Sequence, residues 1–437
     1  MLSASSIMYK KIVLLGIAVL TAISVLQAQT ENSPYSRYGL GDQLPDNNII
    51  NRSMGGVSAA YYDFQSVNFI NPASYAKLRV TTFDFGVEID SRTLRAMDPP
   101  QKFSTASPII SYLQLGFPLS KKGNWGMNMG LKPVTRINYK IERNERLPGI
   151  DSAHTLFQGN GGAYQVYAGT GFSIKNLSVG VNVGYMFGSK QFSAERTFIP
   201  DSSADFYYPA AFQTQSNYGG LFTNAGIQYT IRFSKTNSSS LRLGAYGNMK
   251  REFKGSKDVL TETFSSTQRG NSTIDSIYKQ GIAGKVINPA SYGFGMMYNN
   301  AEKWMIGADF STSQWSQYSY FGEKDSVQDS WKFHIGGQII PNAYSAKSYW
   351  GRVAYRAGFS FGQDYIKVIN DLPVYTFSFG AALPMRRGNY TYQSSVINTS
   401  LEFGRRGNNQ NVIRESFFRL SLGFTLSDIW FIKKKYD

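Results

Sequence analysis

Leu177-Ser178-Val179-Gly180-Val181-Asn182-Val183-Gly184-Tyr185-Met186-Phe187-Gly188-Ser189 is the stretch on which the fold turns. Leu177, Val179, Val181, Val183, Tyr185 and Phe187 fall on one side of a period-two pattern, and Ser178, Gly180, Asn182 and Gly184 on the other. That period is a strand with two unlike faces. Here the face opposite the apolar one is small or polar, as in a barrel with lipid outside and a wet lumen inside.

The pattern recurs on both sides. Phe83, Phe85, Val87 and Ile89 alternate with Asp84, Gly86 and Glu88. Trp125, Met127, Met129 and Leu131 alternate with Gly126, Asn128, Gly130 and Lys132. Phe418 to Leu426 alternates with Arg419, Ser421, Gly423 and Thr425. Fourteen strands are predicted, starting near Thr81, Ala106, Asn124, Leu156, Leu177, Ser216, Leu241, Ile287, Lys303, Asp329, Ser348, Pro373, Thr391 and Arg414. With the first strand running outward, short connections such as Lys175–Asn176 fall on the periplasmic side. Long ones alternate with them: Ser91–Thr105, Ile141–Thr155, Ala194–Gln215 and Gly255–Val286, read as outer loops. An even count with short inner turns and long outer loops is the bacterial pattern. The predicted fold class is all-β: a 14-stranded antiparallel transmembrane β-barrel with an N-terminal hatch, or plug, in its lumen.

Composition agrees. The 437 residues include 42 Gly, 30 Phe, 29 Tyr and 6 Trp, yet mean hydropathy is −0.29 and only 17% are charged. With no cysteine and two histidines, thiolate metal sites and multi-His ligation are excluded. No metal and no cofactor are expected. The net charge of +16 suits anionic envelope lipids; behind an export signal it does not point to nucleic acid.

That signal is read over residues 1–28. Lys10 and Lys11 precede the apolar run Ile12 to Val25, and Ala28 offers a small residue at the cut. Fourteen apolar residues fall short of the roughly 20 that a spanning helix needs. Residues 29–80 form a leader and hatch, and 81–437 the barrel, so the address is the outer membrane. The hatch segment is rich in Gly, Ala, Tyr and Pro rather than Lys and Glu, which favours packing in the lumen over disorder. The C-terminal Trp430-Phe431 reads as an aromatic girdle ahead of Lys433 to Lys435.

Met54-Gly55-Gly56-Val57-Ser58-Ala59-Ala60, then Asn71-Pro72-Ala73, then a first strand at Thr81 is an ordered series. It is followed by Asn288-Pro289-Ala290, by Lys303-Trp304 to Phe310, and by Trp315-Ser316. In this order the chain resembles the FadL-like family of outer-membrane transporters for long-chain fatty acids and hydrophobic compounds. The resemblance implies a hatch motif at Gly55, Gly56, Asn71, Pro72 and Ala73. It also implies a hydrophobic small molecule or lipid as passenger, and a lateral exit at a kink in the third strand. Gly130 and Pro133 supply that kink, because proline has no N–H for the ladder.

Charges predicted to face the lumen include Glu88, Arg352, Arg356, Glu402 and Arg419. Arg352 and Arg356, four apart on one strand, would share a face, and Arg419 would pair with Glu88 or Glu402. His154 is expected in an outer loop and His334 on the lumen face, with no Ser/His/acid grouping; no enzyme is expected. The favoured function is passive uptake of a hydrophobic small molecule, in contact with outer-membrane lipids. The alternative is a barrel subunit or shuttle of an outer-membrane protein-secretion or protein-assembly complex, with envelope protein partners.

Overall fold

The computed structural model describes residues 33–97, 99–120, 123–146, 152–199, 207–233, 239–267, 270–300, 303–345, 348–385 and 394–428. The export signal and the C-terminal girdle read from the sequence lie outside these residues. Among the described residues, eighteen strands, β1 to β18 in chain order, form one sheet. β1 (Asp42–Gln43) belongs to the plug. The wall starts with β2 (Thr81–Met97), β3 (Pro100–Pro118), β4 (Trp125–Arg146), β5 (Ser152–Ile174), β6 (Leu177–Ile199), β7 (Ala210–Arg232) and β8 (Ser239–Asn248). β9 (Arg251–Thr267) and β10 (Gly270–Asn288) form an outer hairpin. The wall continues with β11 (Ser291–Asn300) and β12 (Trp304–Ser313); β13 (Ser319–Tyr320) is a short outer piece. It is completed by β14 (Ser330–Ile339), β15 (Ala354–Lys367), β16 (Asp371–Pro384), β17 (Ser394–Arg406) and β18 (Ile413–Asp428).

Without β1, β9, β10 and β13, fourteen antiparallel strands remain, closed by β18 on β2 from Asp428↔Thr81 to Ile413↔Ala96. Every predicted strand has a counterpart. The face assignment also holds: Val179, Val181, Val183, Tyr185 and Phe187 are exposed to the lipid side, while Ser178, Asn182 and Met186 are buried inward.

The long outer connections differ from expectation. β2 runs to Met97, β5 starts at Ser152, and Gly255–Val286 is mostly the β9–β10 hairpin rather than loop. Above the bilayer no lipid demands an apolar face, so alternation fades while the hydrogen-bonded ladder continues. Upper β7 pairs with β9 (Ala210↔Thr263 to Gly219↔Lys254) and lower β7 with β8 (Asn224↔Asn248 to Arg232↔Ser240). On the periplasmic side, β5 and β6 are joined by Lys175–Asn176, with Lys175 at φ +51°.

The core is the plug inside the wall. Residues 33–44 form an outer layer and residues 48–78 an inner one. Val67, Phe69, Ile70, Tyr75 and Leu78 of the inner layer are buried in the same cluster as Tyr35 and Leu40 of the outer layer.

Candidate functional site: the plug and its seat

The inner layer rests on glycines. Gly126, Gly171, Gly180 and Gly226 are direct cross-strand neighbours on β4, β5, β6 and β7. A Cβ on Gly180 would lie 2.3 Å from the Pro72 carbonyl carbon, and one on Gly126 2.1 Å from the Tyr75 oxygen. The backbone of the 3-10 turn Pro72–Lys77 therefore lies directly on the wall, which only residues without a side chain permit. In a second row, Gly336 and Gly358 seat Met54 and Gly55, and their neighbour Gly307 faces Val57.

Asn71 fixes the turn at its start. Its Oδ1 accepts from Ala73 N–H at 3.1 Å, an N-cap, and its amide donates to the carbonyls of Ala59 (2.6 Å), Ile227 (3.2 Å) and Ala245 (3.2 Å). Gly55 and Gly56 have φ of +69° and +95°, the left-handed region that glycine adopts without strain. Gly55 N–H donates to Ser378 Oγ at 2.8 Å, and its carbonyl meets His334 Nδ1 at 2.7 Å. Asp309 accepts from the N–H groups of Ser58 (2.6 Å) and Ala59 (2.7 Å). These residues join plug to wall; Gly130 and Pro133 lie elsewhere.

Two buried ionic clusters add to this seat. In the first, Arg52 of the plug bridges Glu88 of β2 and Glu402 of β17, the latter at 2.9 Å. In the second, Asp42 sits between Arg92 (2.5 Å) and Arg406 (2.8 Å). Arg92 also meets Asp90 at 2.8 Å, and Arg406 meets Asp364 at 3.0 Å. Burial by itself would raise the Asp42 carboxyl, but Arg92 and Arg406 outweigh it and hold it at about 2.

The sequence reading is corrected at two charges. Arg419 pairs with Asp90 at 3.2 Å, not with Glu88 or Glu402, because both of those are taken by Arg52. Arg352 faces no lumen. It ends a helical turn, Tyr349–Arg352, ahead of β15, and donates to the Ser345 carbonyl at 2.6 Å. Alternation extrapolated back through a turn has no meaning. Arg356 does point inward, onto the neutral amides of Gln338 (2.7 Å) and Asn398 (2.9 Å). Asp42, Arg52, Arg92 and Arg406 went unread. The alternation on β2 extends to Asp90 and Arg92, so those two were within reach, whereas a partner in the irregular plug carries no period.

The outer layer closes the mouth. Tyr35 donates to the Ile413 carbonyl (2.8 Å), Tyr318 to that of Gly39 (2.9 Å) and Tyr365 to that of Gly41 (2.6 Å). Between the layers lies a cavity of about 380 Å³, lined by charged groups such as Asp42, Arg92 and Arg406 and equally by apolar ones such as Phe69, Ile70 and Phe222.

Pro133 marks a seam. β3 and β4 pair only over Leu113–Pro118 and Gly126–Leu131, and the β4–β5 register shifts between Pro133 and Thr135. Beyond Leu131 the freed side of β4 takes the plug strand instead, Asp42↔Arg136 and Gln43↔Thr135, with Leu44 N–H on the Val134 carbonyl at 3.0 Å. Below the seam, Leu113, Leu115, Met129, Leu131, Val166 and Val183 surround a lipid-side hollow of about 560 Å³. Among the described residues, no group of three His, Asp or Glu side chains converges as a metal site.

Fold and plug together define an outer-membrane barrel of the FadL architecture. A Pseudomonas aeruginosa FadL homologue is similar at a TM-score of 0.59 and 11% identity, over 90% of this chain and 100% of that one. The Pseudomonas putida toluene transporter TodX is similar at 0.57 and 17%, over 88% and 99%. The CymD monoaromatic hydrocarbon channel is similar at 0.54 and 15%, over 88% and 98%. No curated protein sequence matches the chain. The BamG family matches residues 8–437, and the chain belongs to that family.

Proposed function

We propose that this chain is a non-enzymatic, non-conducting barrel subunit of an outer-membrane protein-assembly machine. The observation that carries this reading is the seat of the plug. Its backbone lies on glycine rows, its Arg52 and Asp42 are neutralised by wall residues, and a second layer closes the mouth. A passenger would have to break several buried ion pairs, each costly to separate. The cavity that remains sets charged groups beside apolar ones, so a hydrocarbon there would lie against Arg92 and Arg406. BamG family membership supports association with the β-barrel assembly machinery and with envelope protein partners. Purification in mild detergent tests this: stoichiometric envelope proteins should accompany the chain. A monomer retaining a hydrophobic small molecule, identified by mass spectrometry, would overturn it.

One observation favours the second reading, uptake of a hydrophobic molecule or lipid with lateral release. It is the seam itself, where β3 and β4 part beside Pro133 above an apolar hollow. On that reading, Pro133→Ala should close the seam and slow uptake. Unchanged uptake would remove it.

A further inference from the structure

Above the membrane, β4, β5, β6, β7, β9 and β10 form one continuous sheet with two edges. One edge is upper β4. It is charged, with Lys140–Glu142 (3.0 Å) and Arg143–Glu145 (2.7 Å) ion pairs along it. Charge is how a natural edge discourages strand addition. The other edge is β10. Among the described residues, no strand pairs with its outer side until Val286 meets Tyr320 of β13.

This second edge also carries charge, Asp275 and Lys279, but unlike upper β4 it sets exposed apolar side chains between them. Ile277 and Tyr278 are 61% and 56% exposed on opposite faces of β10, and Ile274 is 50% exposed. Register shifts flank Ile277 and Tyr278, between Thr273 and Asp275, where Ile274 is the extra residue, and between Lys279 and Ile282. The second is a built bulge: Gly281 has φ +68°, and its N–H donates to Asp258 Oδ1 at 2.8 Å. Between the bulges lies a regular run, Asp275-Ser276-Ile277-Tyr278-Lys279, with Asp275, Ile277 and Lys279 on one face. A second copy is an unsuitable occupant. Two copies standing side by side in one membrane point their β10 strands the same way, and parallel pairing in register sets Asp275 against Asp275.

We propose that the free edge of β10 over Asp275–Lys279 accepts an extended segment of a surface-exposed partner protein by strand addition. That segment carries apolar residues against Ile277 and Tyr278, a basic residue facing Asp275 and an acidic one facing Lys279. The proposal rests on the subunit reading above and names where one partner docks.

The test uses the full-length protein in intact cells with a photo-crosslinking phenylalanine at position 277, 278 or, on the charged edge, 143. Positions 277 and 278 should label one partner chain, at sites mapping to a single extended segment, and position 143 should not label it. Ile277→Asp and Lys279→Asp should each cut the yield from position 278 about tenfold, the weight of one lost apolar or charged contact in a small interface. Adducts confined to a second copy or to lipopolysaccharide would overturn the proposal. So would a yield that neither substitution lowers, or equal labelling from position 143. If partner proteins copurify with the wild type and position 278 labels none of them, the edge is wrong and the subunit reading survives. If the wild type copurifies with no protein, the subunit reading itself fails.

Discussion

At the scale of single residues, Arg52 and Asp42 are the side chains whose loss the plug should tolerate least. Arg52 holds two buried carboxylates, Glu88 and Glu402. Arg52→Met leaves both without their cation and should cost about 3–5 kcal/mol of stability, read as a lower denaturant midpoint of the folded barrel. Adding Glu88→Gln and Glu402→Gln to that variant should recover most of the loss. Asp42 supplies a pH dependence whose sign follows from its partners. Its carboxyl is held at about 2, below the usual carboxylate range, so its ion pairs favour the folded plug fully above about pH 4 and lose that effect as the pH falls toward 2. Pepsin cleavage within residues 33–44 should therefore rise steeply between about pH 4 and pH 2. Asp42→Asn should already be cut at pH 4. Neither residue was legible in the sequence. A cluster that joins position 42 to positions 92 and 406 leaves no local spacing, and its members are recognisable only once the strands are in register.

At the scale of elements, what could be read was what lipid imposes. The apolar face of Leu177–Phe187 is obligatory because lipid touches every second residue, so strand positions and faces followed from the pattern alone. Where lipid ends the rule ends with it, and Gly255–Val286 looked like loop although a hairpin ladder runs through it. The glycines had a plainer meaning than lumen polarity. The row on β4 to β7 is a flat bed for the turn Pro72–Lys77, and that function needs knowledge of which strands are neighbours. Gly180→Val should lift that turn, since even a Cβ there comes within 2.3 Å of Pro72. Overpacking of this kind costs about 1–3 kcal/mol. Lys77, which donates to Ser173 Oγ at 2.7 Å, should become a trypsin site while the barrel stays heat-modifiable on gels.

For the whole molecule, a barrel closed in two layers should carry almost no current. Planar-bilayer recordings of the purified protein should show no steady ion conductance, and deleting residues 33–44 should not open it fully, because the inner layer remains seated. A large conductance from the intact chain would contradict the packing described. The two ionic clusters also bear on how the molecule is made. The wall residues that pair directly with Arg52 and Asp42 sit on β2 and β17, beside the closing strand β18, where the start and the end of the barrel meet. Ser33 is hydrogen-bonded to Glu415 across 382 residues of chain, and Arg52 to Glu402 across 350. Contacts of such separation form late, because so much chain must first be brought together. Until β17 and β18 arrive, Arg52 lacks one of its carboxylates and Asp42 one of its arginines. The N-terminal segment, which precedes the wall in the chain, thus gains its full set of ion pairs only with the last strands, so the plug is locked and the cylinder closed in one event.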